Sequence, residues 1–132
     1  MKEMQYQADR DIELLDSGIY KNYNYYILSL GTHPTAYIEI PKDNKIYKKD
    51  YSEIDLYVHG GLTYSRNFLW ISEEKKLEGW FIGWDYAHYG DYLGYELMFP
   101  ENLRIKEEKK WTTEEILEEV KDAISQLEVL NE

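Results

Sequence analysis

The sequence predicts an α+β fold, a single domain over residues 1–132 in which an antiparallel β-sheet is packed by a C-terminal amphipathic α-helix. Three observations predict it. Short segments rich in aromatic and β-branched residues alternate polar and apolar positions, the pattern of half-buried strands. Glycine, proline and asparagine interrupt those segments where a chain turns. After Thr112 the apolar period changes to that of a helix lying on a sheet face.

The elements follow in order. Residues 11–15 read as a short strand or helix end, and Asp16-Ser17-Gly18 as a turn. Tyr23 to Leu30 is a strand, broken by Gly31 to Pro34. Tyr37 to Ile40 is a second strand, ended by Pro41. Residues 41–53 are charged and irregular, with one helical turn at Asp50 to Glu53. Ile54 to His59 alternates cleanly and reads as a strand: Ile54, Leu56 and Val58 share one face, Asp55, Tyr57 and His59 the other. Gly60 and Gly61 permit a tight turn or bulge. Residues 72–79 read as an exposed connection. Gly79 to Asp85 is a strand with Trp80, Ile82 and Trp84 on one face and Phe81, Gly83 and Asp85 on the other. Residues 86–94 form a Tyr- and Gly-rich loop, and Tyr95 to Phe99 a last strand. The helix covers about residues 112–129. Thr112 and Glu115 make a capping box. Ile116, Val120, Ile124 and Leu127, with Leu117 and Ala123 beside them, make its apolar stripe. Glu114, Glu115, Glu118 and Glu119 crowd the first turns, where the helix dipole favours them, and read as a solvated face.

Composition narrows the function. The chain has 132 residues, 26 acids and 15 bases, for a net charge of −11. That balance argues against a nucleic-acid surface and against an anionic membrane. Residues 101–132 hold ten of the acids against five bases. An acidic surface that mimics nucleic acid and blocks a basic partner is the sharper alternative to a solvated helix. There is no cysteine, so disulfides and thiolate metal sites are excluded, and a cytoplasmic setting is expected. Residues 1–20 lack a signal-peptide pattern, and no apolar run approaches the ~20 residues that span a bilayer. Fourteen tyrosines suit sheet faces, pockets and interfaces, and a homo-oligomer is compatible with them.

The candidate site rests on three blocks that hold the three histidines: Gly31-Thr-His-Pro34 with His33, the block from His59 to Ser65, and the block from Gly83 to Asp91 with His88. Three chemistries compete for them. His33, His59 and His88, with Asp85 and Asp91 nearby, offer metal ligands, though no pair such as HExxH or HxH is present. Ser65 beside His59 or His88 would give a nucleophile, but the GxSxG elbow is missing. GxGxxG and the phosphate loop are also missing. The third chemistry is recognition. Tyr57, Tyr64, Trp84, Tyr86, Tyr89 and Tyr92 supply flat rings for a base. The amides of Gly60 and Gly61 approach an anion, and His33, His59, Arg66, Asp85, His88 and Asp91 complete the polar contacts. A sheet face covered by tyrosine explains the same rings without a ligand. The ligand-binding reading therefore takes no cofactor and no metal, and leans to a binder rather than an enzyme.

These blocks resemble a family of small bacteriophage and prophage proteins. The resemblance runs from about Tyr25 to Leu93. It rests on Leu30-Gly-Thr-His-Pro34, on the string HGGLTYS within Ile54 to Ser65, and on GWDxAHxGD from Gly83 to Asp91. Relatives often carry a cysteine before the Ala-His pair; Tyr86 stands there in this chain, a departure that weakens any thiol-based mechanism. The resemblance implies a setting: small accessory phage proteins often antagonise bacterial immunity. They sequester a nucleotide signal, degrade it with a metal or general base, or block a defence protein. An aromatic and histidine pocket that binds a nucleotide-like molecule without turnover fits the residues best.

Overall fold

A computed structural model describes residues 12–30, 33–86 and 111–132. Among them are five strands and one long helix: β1 (Glu13–Tyr20), β2 (Tyr23–Ser29), β3 (Pro34–Glu39), β4 (Tyr64–Trp70), β5 (Lys76–Asp85) and α1 (Thr113–Leu130). The strands form one sheet in the order β1-β2-β3-β5-β4, and every pairing is antiparallel. α1 packs on one face. The expected α+β architecture is present. The strand expected at Tyr95 to Phe99 and the loop after Tyr86 lie outside the described residues.

The β1–β2 hairpin turns at Lys21 and Asn22, both with positive φ (50° and 71°), the signature of a two-residue type I′ turn. The turn expected at Asp16 to Gly18 is instead part of β1, which carries an irregularity between Leu14 and Asp16. Gly18 serves packing there: a Cβ would lie 2.7 Å from the Tyr25 hydroxyl on the facing strand. β5 begins at Lys76, before the expected Gly79, because the β4–β5 connection closes early. The Ile71 amide donates to the Lys75 carbonyl at 3.0 Å, and Ser72 Oγ accepts from the amides of Glu74 and Lys75. β4 carries no clean alternation in sequence because its register shifts between Arg66 and Phe68.

The segment from Ile54 to Val58 is not a sheet strand. Its alternation does sort the side chains as expected: Ile54 and Leu56 are buried, Asp55 and Tyr57 exposed. The Ile54 and Leu56 amides bond locally, and Tyr57 bonds to the helix instead of a neighbouring strand. The Tyr57 amide donates to Gln126 Oε1 at 2.8 Å, and Gln126 Nε2 donates back to the Tyr57 carbonyl at 2.9 Å. This strap is the outer limb of the long crossover that carries the chain from β3 to the edge strand β4. A 3-10 turn at Tyr51–Glu53, capped by Asp50, precedes it.

The core on the helix side joins Tyr25, Ile27, Ala36, Ile38, Ile82 and Trp84 from the sheet to Ile116, Val120, Ala123, Ile124 and Leu127 from α1. The opposite face holds a second cluster around Leu28, Tyr37, Leu69 and Phe81. There the Tyr37 ring lies across Gly83, where a Cβ would come within 2.3 Å of it. α1 starts on the expected capping box: Thr112 Oγ1 accepts the Glu115 amide at 3.1 Å, and Glu115 Oε1 accepts the Thr112 amide at 3.0 Å. No helix among the described residues is long and apolar enough to cross a membrane.

Candidate functional site

At the end of the sheet where β5 finishes, three rings meet. The His59 imidazole lies parallel to the Tyr86 ring, with centroids 4.9 Å apart and planes 7° apart. Trp111, the residue before the helix cap, is 4.9 Å from His59 and 4.9 Å from Tyr86, tilted by 57° and 53°. Tyr86 is buried, while His59 and Trp111 are half-buried at the rim.

Glu119 ties this corner together. Trp84 Nε1 donates to the Tyr86 hydroxyl at 3.0 Å. That hydroxyl donates to Glu119 Oε1. The other oxygen, Oε2, accepts the His59 amide at 2.8 Å. One carboxylate thus serves the strap, the end of β5 and the helix at once. Glu119 is half-buried, not a solvated helix charge as its neighbours suggest.

Gly60 and Gly61 both have positive φ, 70° and 82°. The Gly61 amide donates to the Val58 carbonyl at 2.9 Å. With Gly60 third in that turn, the geometry is type II, which favours glycine there. The Gly61 amide is therefore engaged in the turn, in place of the anion contact expected of it. No heavy atom lies within 4 Å of a Cβ built on Gly61, so conformation rather than space calls for glycine.

The remaining candidates are spread around this corner. Trp84 is 1% exposed and belongs to the core, so it is not a pocket wall. Tyr64 packs on the opposite sheet face, edge-on to Tyr37 at 5.0 Å, with its hydroxyl donating to the Phe68 carbonyl. Ser65 is buried; its hydroxyl donates to Asp50 Oδ1 at 3.2 Å and accepts the Tyr51 amide at 3.1 Å. It bridges the 3-10 turn to β4, while His59 stacks on Tyr86. The Asp50 carboxyl is held below its ordinary value by the hydroxyl and amide of Ser52, with smaller help from Ser65 and Arg66. Arg66 Nη1 donates to the Ser65 carbonyl at 3.1 Å. Asp85 alternates with Trp84 along β5 and accepts from Thr63 Oγ1 at 3.4 Å. His33 lies at the same sheet end: its carbonyl accepts the Leu30 amide, and the next residue, Pro34, accepts the Tyr86 amide at 3.1 Å. Tyr57 is 76% exposed on the strap. His88, Asp91, Tyr89 and Tyr92 lie outside the described residues.

Two residues of the corner escape the sequence reading, and each carried a signal. Glu119 falls three residues after Ile116 and four before Ala123, inside the apolar stripe. Trp111 occupies the position before the N-cap, which packs against the helix in a hydrophobic staple. Among the described residues no group of three or more His, Asp or Glu side chains is arranged to hold a metal ion. No protein-family model, curated protein or solved structure matches the chain.

Proposed function

We propose that the chain binds a nucleotide-like small molecule at the His59 corner and releases it unmodified. In this reading it is a phage or prophage accessory protein that acts against host defence in the bacterial cytoplasm by holding a signal nucleotide. The observation that carries the binding reading is the 7° stack of the His59 heterocycle on Tyr86, walled by Trp111. A corner that seats one flat nitrogen heterocycle suits another. The phage setting comes from the HGGLTYS and GWDxAHxGD strings.

Calorimetry of the purified protein against a panel of nucleotides and cyclic nucleotides tests the proposal, followed by chromatography of the heat-released ligand. Binding of at least one member, returned intact, is expected, and Trp111→Ala should weaken it by the ~1–3 kcal/mol typical of base stacking. No binding across the panel rejects the proposal, and a cleaved product makes the protein an enzyme.

One observation favours a second reading. Glu114, Glu118 and Asp122 are exposed and spaced four residues apart along α1, an acidic stripe that a basic defence protein could meet. The triple variant E114Q, E118Q, D122N removes the charge of the stripe and keeps its shape. Loss of anti-defence activity in a correctly folded triple variant, with nucleotide binding intact, favours the protein-blocking reading.

A further inference from the structure

The histidine that defines the corner also fills it. We infer that the strap from Tyr57 to Leu62 is a displaceable flap, and that His59 occupies in the free protein the stacking place of the ligand's ring. This rests on the nucleotide-binding proposal and adds how the site is opened and what the ligand must offer.

The geometry separates a fixed part from a movable one. Tyr86 is anchored: its amide bonds to Pro34, its hydroxyl takes the Trp84 indole N–H, and its ring is buried. His59 reaches the same ring from a segment that pairs with no strand among the described residues. The strap's main chain is tied to α1 through the side chains of Gln126 and Glu119. Side-chain ties of this kind open with less disruption than a β-ladder, whose bonds break cooperatively with the sheet. The strap also has defined ends. Ile54 and Leu56 are buried in the helix-side core, and Val58 and Leu62 rest half-buried against it, so withdrawal of the strap lifts these two side chains as well. At the other end lie Gly60 and Gly61, both left-handed, with open space around Gly61. From Thr63 the chain is fixed again, its amide donating to the Gly83 carbonyl at 2.9 Å.

Withdrawal of the strap has a chemical consequence. The Tyr86 face is freed for another ring, and Glu119 Oε2 loses the His59 amide. A carboxylate oxygen without a donor at a half-buried site needs a replacement N–H or O–H. The ligand class that satisfies both groups is a flat heteroaromatic ring bearing an N–H donor at its edge, such as an amino-substituted base. Thus the histidine and its own amide imitate the two contacts that the ligand makes.

Two measurements test this, and they fail separately. In the first, amide hydrogen exchange is followed at Tyr57 and His59, on the strap, and at Ile38, in the central strand β3. The strap amides should exchange at least about tenfold faster than Ile38, through local opening. Gln126→Ala should accelerate both strap amides again, with the strap still exchanging ahead of Ile38. If strap and Ile38 amides exchange at one rate in both proteins, the strap opens only by global unfolding and the flap is overturned, whatever binds. In the second, the nucleotide panel is repeated with His59→Gly, which empties the stacking place. Affinity for whichever nucleotide binds should rise about tenfold, the gain from removing a competing occupant. Weaker binding would make His59 a direct contact and overturn the place-holder role while sparing the binding proposal. No binding by either protein, with local strap opening intact, overturns the nucleotide reading and not the flap.

Discussion

Replacing Glu119 by glutamine changes one atom of a half-buried side chain, and the structure gives the cost. Two donors converge on the carboxylate, the Tyr86 hydroxyl on Oε1 and the His59 amide on Oε2. The Tyr86 oxygen already accepts the Trp84 indole N–H. Glutamine brings one acceptor and one NH₂ group, so either orientation sets an N–H against a donor. If the amide nitrogen faces Tyr86, the phenol can accept from it, but the phenol proton loses the carboxylate it now donates to. If it faces His59, two N–H groups oppose each other. A buried donor left unsatisfied costs ~1–3 kcal/mol, and exchange of a charged acceptor for a neutral one weakens the bond that survives. The expected loss for Glu119→Gln is therefore ~2 kcal/mol. Glu118→Gln, one residue away and exposed, should stay within ~0.5 kcal/mol of the parent. The pair controls for the helix dipole, since both changes remove one negative charge from neighbouring positions. Urea denaturation read by tryptophan fluorescence measures both, and thermal unfolding should show a drop of roughly 6–12 °C for Glu119→Gln alone. Equal stability of the two variants would refute the assignment of Glu119 as the tie between strap, sheet and helix.

Other perturbations probe the frame around the corner. Gly83→Ala places a methyl 2.3 Å from the Tyr37 ring and 2.7 Å from the Ala36 carbonyl, and should destabilise by ~2–3 kcal/mol in urea denaturation; a variant as stable as the parent refutes the close approach. Thr112→Ala removes the cap that accepts the Glu115 amide and should cost ~1 kcal/mol, with unchanged stability counting against a formed capping box. Burial raises the hydroxyls of Tyr23, Tyr25 and Tyr26 above their ordinary 10.0. For Tyr23 the Asn44 hydrogen bond opposes that rise, while Glu128 and Asp43 reinforce it. A raised folded-state value favours the protonated form, so this stability is complete below pH 10.0 and is lost as pH rises through the raised values. The denaturation midpoint should fall on the alkaline side, less steeply in Tyr23→Phe, and a midpoint independent of alkaline pH would contradict the shifts.

The parts of this fold that were legible in sequence are those fixed by local chemistry. The capping box of Thr112 and Glu115, the stripe from Ile116 to Leu127 and the alternation along β5 each follow from spacing within a few residues. Partners distant in the chain were not legible. The period of Ile54 to Val58 shows which side chains turn inward, but it is silent on what the main chain bonds to. Here the answer lies 69 residues from Tyr57 in Gln126 and 60 residues from His59 in Glu119. Gly18 reads as a turn because glycine tolerates many conformations, whereas its place is set by the Tyr25 ring across the hairpin. The same limit applies to the site. The His59 and Gly83 blocks are drawn to one end of the sheet, but alternation along β4 and β5 sends Tyr64 and Trp84 to opposite faces. A cluster in sequence is thus divided by the pleat.

If the strap is the proposed flap, it links stability to binding in a way that one variant can measure. Gln126 makes two hydrogen bonds to the Tyr57 main chain and none to the three rings described at the corner. Those bonds are exposed, so each contributes at the low end of the usual ~0.5–1.5 kcal/mol, and Gln126→Ala should destabilise the strap by ~1 kcal/mol. If the ligand can stack on Tyr86 only after the strap withdraws, the energy that holds the strap down is subtracted from the affinity. Loosening it by ~1 kcal/mol returns up to that amount to binding, about a fivefold gain. Stability and affinity should therefore move in opposite directions in this variant, with the gain in binding never exceeding the loss in strap stability. A purely structural glutamine predicts otherwise: its loss would loosen the corner and weaken the ligand. Denaturation and calorimetry on the same preparation decide between them, and a variant both less stable and weaker in binding rejects the flap.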